Sequence, residues 1–128
     1  MRAPDPEPGW KGDDMGHDPN CIFCKLAGGE IPAKKVYEDD KVFAINDLNP
    51  LAPVHILIIP HDHVPTLLDL PDNQFDLVGH VFRVAAKLAK ERGIAAQGFK
   101  VFHNVNEWGG QRVFHMHFHL VGGKKFGE

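Results

Sequence analysis

The run Val113-Phe114-His115-Met116-His117-Phe118-His119-Leu120-Val121 decides how this chain folds. Imidazoles alternate with large apolar side chains along it. Successive side chains on a β-strand point to opposite faces, so His115, His117 and His119 would share one face. Met116, Phe118 and Leu120 would share the other and point into a core. A strand is therefore expected over residues 113–121, buried from behind and lined in front with histidine. Histidine is the side chain whose unperturbed pKa lies near neutrality, so such a face points to proton transfer, nucleophilic attack or metal binding. The bland alternative is a surface strand that happens to be rich in histidine. With nine histidines in 128 residues, this spacing is uncommon by chance.

Working outward, the rest of the chain supplies a frame for that strand. Short strands are expected at Lys35–Glu38 and Val42–Asn46, joined by a turn at Asp39-Asp40. Asn49-Pro50-Leu51-Ala52-Pro53 is a loop, because two prolines break any regular element. The nearly continuous apolar run at 55–60 fits a central strand covered on both faces. One long helix is expected over 71–92. Asp69 precedes it as an N-cap, Phe75, Val78, Phe82, Ala85 and Ala89 form its core face, and Gly93 ends it. A further strand at 99–104 and a loop containing Gly109-Gly110 lead into the histidine strand. The order β, β, β, α, β, β suits an antiparallel sheet with one helix packed on it, an α+β domain over 21–128.

Length and composition narrow the function. A chain of 128 residues holds one domain with a real core, and its net charge of −3 lacks the basic footprint of a nucleic-acid binder. No apolar run is long enough to span a bilayer, so no membrane partner is expected. Residues 1–20 are rich in proline, glycine and acid and read as a disordered tail. They hold no apolar segment of a secretory signal, so the expected location is cytoplasmic.

Three histidines on one strand cannot all reach one metal ion unless the strand bends. Residues four apart on a strand are roughly 13 Å apart, whereas zinc–nitrogen bonds are about 2.0–2.1 Å. At least two of the three therefore have different jobs, and a metal-dependent hydrolase is disfavoured. A neutral imidazole is instead a good nucleophile toward phosphorus, and covalent catalysis splits one hard displacement into two easier ones. A neighbouring histidine can hold a phosphoryl oxygen or assist proton transfer, and another can fix the tautomer of the nucleophile; His55 is a candidate. The Gly109-Gly110 loop lets backbone N–H groups approach a phosphate. Cys21-Ile22-Phe23-Cys24 reads as half a metal site, a redox pair or two buried small residues. His80 reads as a partly exposed structural residue, His61 as solvent-facing, and His103 as a packing residue beside the site. His17 lies in the tail.

The segment Gly109-Gly110-Gln111-Arg112-Val113-Phe114-His115-Met116-His117-Phe118-His119-Leu120 resembles the signature of the histidine triad (HIT) superfamily. Cys21-Ile22-Phe23-Cys24-Lys25, Gly29-Glu30-Ile31-Pro32-Ala33-Lys34, Tyr37-Glu38-Asp39-Asp40 and Pro53-Val54-His55 extend the likeness, as do Ile58-Ile59-Pro60 and His63. It covers essentially all of the chain from Cys21 to Gly123, and it is most like the Hint-like branch of nucleoside phosphoramidases. The resemblance implies an α+β fold with about five antiparallel strands, and a homodimer whose sheets join into one. It implies hydrolysis of a P–N bond in a purine nucleotide substrate, such as adenosine 5′-monophosphoramidate or an adenylated lysine, through a nucleotidyl-histidine intermediate. His117 would attack phosphorus, His119 would bind the phosphate and assist proton transfer, and His55 and His115 would complete the network. Ile45, Asn46, Asp47 and Leu48 would line the base and ribose pocket. Asn104, Gly110, Gln111, Arg112 and Val113 would surround the phosphate and ribose.

The same resemblance implies no cofactor for catalysis and a structural zinc held by Cys21, Cys24, His63 and His115. The alternative for the cysteines is simple burial, with His115 only orienting the nucleophile. Other functional readings are a dinucleoside polyphosphate hydrolase of the same superfamily, or a nucleotide-binding regulatory module with incidental turnover. The chain departs from the pattern in four places. Arg112 stands where a small hydroxyl residue is usual, Asn46 where animal members carry histidine, and Trp108 in a loop that is often small and polar. The segment after Gly122 is also short.

Overall fold

The computed structural model describes residues 17–127. Five antiparallel strands form one sheet: β1 (Lys35–Glu38), β2 (Val42–Asn46), β3 (Val54–Pro60), β4 (Phe99–Phe102) and β5 (Phe118–Gly122), in the spatial order β1-β2-β3-β5-β4. Two helices accompany it, α1 (Ile22–Ala27) and α2 (Asp76–Glu91). Among the described residues no helix is long and apolar enough to cross a membrane. Of the expected tail, residues 1–16 lie outside the described residues, and 17–20 lead through a turn into α1.

The alternation of β3 sorts the core into two layers. Ile56 and Ile58 face α2, where they pack with Val42, Ala44, Phe118, Leu120 and the helix residues Val81, Val84, Ala85, Leu88 and Ala89. Leu57 and Ile59 face the other way, against Phe43 and the α1 residues Phe23, Cys24 and Leu26. His55 and His119 lie on that second face, because the pairing Leu57↔His119 sets them diagonally across β3 and β5. Met116, Phe118 and Leu120 point into the α2 layer as their alternation requires.

Besides α1, which the sequence did not announce, and β4, which stops at Phe102 rather than at 104, three local features differ from the sequence reading. The long helix begins at Asp76, after a 3₁₀ turn at Asp72–Gln74, and the carboxylate of Asp69 closes a capping box with Thr66 in an earlier turn. Its buried stripe runs through Val81, Val84, Ala85, Leu88 and Ala89, which leaves Phe75 and Phe82 exposed on the flank. The histidine strand is the third. Only Phe118–Gly122 is strand, and His115 to His117 leave the ladder. The pairing Ile58↔Phe118 would next set Met116 against Pro60, and proline has no N–H to donate. Met116 N–H bonds the Val64 carbonyl instead, at 2.6 Å.

Asp39 fastens α2 to the β1–β2 turn. Its Oδ1 accepts from the Lys41 and Val42 N–H groups at 2.8 and 2.9 Å. Its Oδ2 accepts from the Tyr37 hydroxyl and from His80 Nε2, both at 2.7 Å. Burial alone would raise this carboxyl, but the hydrogen bonds outweigh it and hold the group well below the usual carboxylate range. His80 is thus a structural tie. At the far end of β5, Gly123 has φ +93°, and a Cβ there would stand 3.0 Å from Pro53 Cβ. Gly123→Ala is expected to lower stability by about 2 kcal/mol, read from the urea midpoint; a neutral result would mean that the turn is not held at this φ.

Candidate active site

Two clusters of histidines meet at the start of β5, and hydrogen bonds assign tautomers to His55, His115, His117 and His119. Leu51 N–H donates to His55 Nδ1 at 3.0 Å, so the proton of neutral His55 is on Nε2. That N–H donates to His119 Nδ1 at 2.9 Å and lies 3.4 Å from Asp47 Oδ2. His119 must then carry its own proton on Nε2, the nitrogen not engaged by His55. In His117, Nδ1–H donates to the His115 carbonyl at 2.7 Å, which leaves the Nε2 lone pair unshared with that bond. The rings of His117 and His119 have centroids 5.2 Å apart. The strand end therefore presents an imidazole lone pair beside an imidazole N–H donor.

Burial favours the neutral rings that this arrangement needs. His117 is 8% exposed, and its pKa lies below the ordinary imidazole value, chiefly through desolvation. His119 is pushed down to about 4 by burial first, and then by the neighbouring His117 and His55. Burial also lowers His55, against an opposing pull from Asp47. Two aromatic rings that sequence reasoning did not single out hold the pair in place. Phe102 stacks on His119 at 4.6 Å and 9°, and Phe23 meets His117 edge-on at 5.0 Å. Both follow from register: β4 pairs Phe102↔His119, and α1 covers this face of the sheet.

The residues expected around the nucleotide form two groups. Asp47 stands beside His55, and its Oδ1 accepts from Asn49 N–H at 2.8 Å. Ile45 is half-buried, while Asn46 and Leu48 are exposed. On the other side lies the loop 104–112. Here the N–H groups of Gly109, Gly110 and Gln111 are bonded inside the loop, to the carbonyls of Asn106, Glu107 and Asn106. These bonds close the loop on itself. Gly110 has φ +84°, and the pair lets the loop turn tightly on itself. Gln111 is buried: its Oε1 accepts from Asn106 N–H at 2.8 Å, and its Nε2 donates to the Pro65 and Val113 carbonyls at 2.8 and 3.1 Å. It braces the loop. Arg112 and Trp108 are exposed, and Asn104 and Val113 are half-buried.

The second cluster joins Cys21, Cys24, His63 and His115, whose ligating atoms all lie within 4.8 Å of one another. Cys21 Sγ and Cys24 Sγ are 3.4 and 3.5 Å from His115 Nδ1, and Cys24 Sγ is 3.4 Å from His63 Nδ1. Ligand atoms on a tetrahedral zinc are about 3.6 Å apart, given Zn–N of about 2.0–2.1 Å and Zn–S of about 2.3 Å. His115 Nε2–H donates to the Pro60 carbonyl at 2.7 Å, which leaves the Nδ1 lone pair facing the sulfurs. Asp18 N–H donates to Cys24 Sγ at 3.3 Å. The hydrogen bond between the thiols holds Cys21 well below the usual thiol range and pushes Cys24 above it, with burial raising both. The donor set fits a soft, tetrahedral ion.

Asp47, His55 and His119 also approach within 4.8 Å, but their chemistry differs. His55 Nε2 carries the proton that Leu51 imposes on it, so that nitrogen has no lone pair to give a metal. This group reads as a hydrogen-bond relay.

Comparison with known proteins bears on the whole arrangement. The HIT domain family model matches residues 28–126. The chain is 45% identical over 106 residues to the purine nucleoside phosphoramidase of Escherichia coli strain K12, covering 83% of this chain and 89% of that protein. Among solved structures, a histidine triad protein from Clostridium difficile superimposes with a TM-score of 0.85 at 51% identity, covering 88% of this chain and 97% of that one. A HIT family hydrolase from Legionella pneumophila Philadelphia 1 gives 0.80 at 45% identity, covering 83% and 95%. With its triad, its sheet order and its sequence all in agreement, the chain belongs to the histidine triad (HIT) domain family.

Proposed function

We propose that this protein is a nucleotidyl hydrolase that cleaves the P–N bond of purine nucleoside phosphoramidates, through a nucleotidyl intermediate on His117. The observation that carries the reading is the tautomer of His117. Its Nδ1–H is committed to the His115 carbonyl, so Nε2 is the nucleophile without a separate base. In the first step the Nε2 lone pair forms a bond to phosphorus, the P–N bond of the substrate breaks, and the leaving nitrogen takes a proton from solvent as the amine departs. His119 Nε2–H hydrogen-bonds the phosphoryl oxygen on which charge builds, and the relay from Leu51 through His55 fixes that N–H. Water then forms a P–O bond as the bond from phosphorus to His117 Nε2 breaks, gives up a proton to solvent, and releases the nucleoside monophosphate with His117 neutral again. Asp47, beside His55, is a suitable acceptor for ribose hydroxyls. The 45% identity to a protein named purine nucleoside phosphoramidase supports the substrate class.

The reading separates from its rivals by substrate. Adenosine 5′-monophosphoramidate is expected to be turned over with a kcat/KM at least about 100-fold above that for diadenosine polyphosphates, with activity unaffected by EDTA over minutes. The reverse preference would assign the dinucleoside polyphosphate reaction. Tight binding of the nucleotide without turnover of either would assign a regulatory module.

Attack requires a neutral His117, and protonation of Nε2 silences it. Burial places the pKa of His117 below 6.5 and that of His119 at about 4, so both rings stay neutral down to a pH below the ordinary imidazole range. The acid limb of kcat/KM for the free enzyme is therefore expected below pH 6.5. A limb at or above that value would contradict a buried, neutral nucleophile.

Two further elements of the proposal rest on particular side chains. Cys21, Cys24, His63 and His115 would hold a structural zinc, which supplies no chemistry to the reaction but fastens α1 to the segment that carries the triad. A second copy of the chain would cover the exposed Phe82 on α2, Phe75 at its start, and Phe99 on the edge strand β4. Edge strands with open N–H and C=O groups are normally paired or covered. Light scattering is expected to give about twice the chain mass of 14.3 kDa; a monomer at micromolar concentration would remove the dimer.

A further inference from the structure

His117 stands beyond the ladder that holds its neighbours. β5 begins at Phe118, and its pairing with β4 ends at Phe102↔His119. Two residues further on, that register would set Asn104 against His117, past the end of both strands. A side chain takes over there. Leu67 N–H donates to His103 Nε2 at 3.2 Å, so the proton of His103 is on Nδ1, and Nδ1–H donates to the His117 carbonyl at 3.1 Å. The His103 ring also lies against Phe118, with centroids 5.0 Å apart. The donor at the far end is itself fixed. Leu67 opens a 3₁₀ turn whose start is locked by the reciprocal bonds of Thr66 and Asp69.

We propose that His103 is a positioning residue for His117. The imidazole replaces the missing ladder bond and ties the backbone of the nucleophile to the Thr66–Asp69 turn. His117 is then held at two points: its ring by the His115 carbonyl, and its own carbonyl by His103. Without the second tie, the backbone at His117 can shift while the ring keeps its bond to His115, so Nε2 no longer meets phosphorus in line. Misplacement by about 1 Å costs on the order of 100-fold in rate. The inference rests on the reading of His117 as nucleophile and goes beyond it, because it assigns the placement of that group to a residue outside the triad.

The test uses the full chain and single-turnover nucleotidyl transfer from adenosine 5′-monophosphoramidate, with His103→Leu and His103→Asn. Leucine fills a similar space with no donor. Asparagine keeps an N–H near the place of imidazole Nδ1. His103→Leu is expected to slow transfer about 10- to 100-fold while the Kd for AMP changes less than about threefold. His103→Asn is expected to recover most of the wild-type rate. In ¹⁵N-edited spectra all three proteins should show His117 as the single Nδ1–H tautomer, because the ring keeps its bond to the His115 carbonyl; a mixture in His103→Leu would assign the slowing to the tautomer and overturn the placement role. A wild-type rate in His103→Leu overturns the proposal. So does an equal slowing in both variants, which would point to packing alone. Wild type that forms no adduct on His117 would instead end the underlying reading, and the proposal with it.

Discussion

Replacing His117 by alanine is expected to reduce turnover of adenosine 5′-monophosphoramidate by about 10⁴-fold or more, with nucleotide affinity nearly unchanged. The size follows from the role: loss of a covalent nucleophile removes a whole reaction path, leaving only what binding and orientation supply. The ring is buried against Phe23, so the substitution also leaves a void, and a few kcal/mol of stability go with it. Melting temperature must therefore be measured alongside rate. His117→Asn is a useful control, because it keeps a donor for the His115 carbonyl and has no nucleophile. It should be as slow as alanine and more stable. His119→Ala is expected to cost less, roughly 10²- to 10³-fold, since it removes only the donor beside phosphorus. If His117→Ala retained more than a tenth of wild-type turnover, an imidazole intermediate at this position would be untenable.

The second large effect concerns the sulfur cluster. Chelation of the proposed zinc, or Cys24→Ser, is expected to lower the melting temperature by more than about 10 °C and to reduce bound zinc from one per chain to none. The four donors come from three separate places: the segment around α1 (Cys21, Cys24), the loop after β3 (His63) and the segment before β5 (His115). An ion that binds only the folded arrangement stabilises it by its binding free energy. The consequence reaches the active site through one residue. His115 offers its ring to the cluster, and its carbonyl fixes the tautomer of His117. Loss of the ion should thus lower kcat several-fold more than it raises KM, once exchange is complete. If the cysteines are merely buried thiols, Cys24→Ser costs only about 1–2 kcal/mol and chelators do nothing. Zinc analysis after zinc-supplemented expression separates the two.

Much of this was legible in the sequence because its strongest signals were periodic. The alternation around His119 identified a strand with a core side and a functional side, and Phe118 and Leu120 do pack beneath α2. β1, β2 and β3 were visible as β-branched and aromatic runs bounded by turn residues. The alternation said nothing of where pairing stops. Met116 is excluded from the ladder by Pro60 on another strand, a fact about register that local pattern does not carry. His115 and His117 both lie on the α1 side, where each ring meets Phe23 edge-on, but only His115 reaches the cysteines. α1 escaped notice because six residues are too few to show helical period, and its start is occupied by cysteines rather than a capping side chain. The flank of α2 was misread for a related reason: Phe75 and Phe82 are spaced like core residues, yet they sit beside the buried stripe. The sequence placed His103 beside the site, but only as a packing residue. Its place depends on β4 ending one residue before it and on a turn that sets the Leu67 N–H opposite its ring.

The central claim is that His117 Nε2 becomes covalently nucleotidylated. Intact-protein mass spectrometry of the wild type, quenched in acid-free denaturant within the first turnovers on an adenosine phosphoramidate, tests it most directly. The account predicts a mass increase equal to one adenylyl group, mapped by fragmentation to His117 and absent in His117→Ala. Steady turnover with no adduct at any quench time, or an adduct on a different residue, would contradict it.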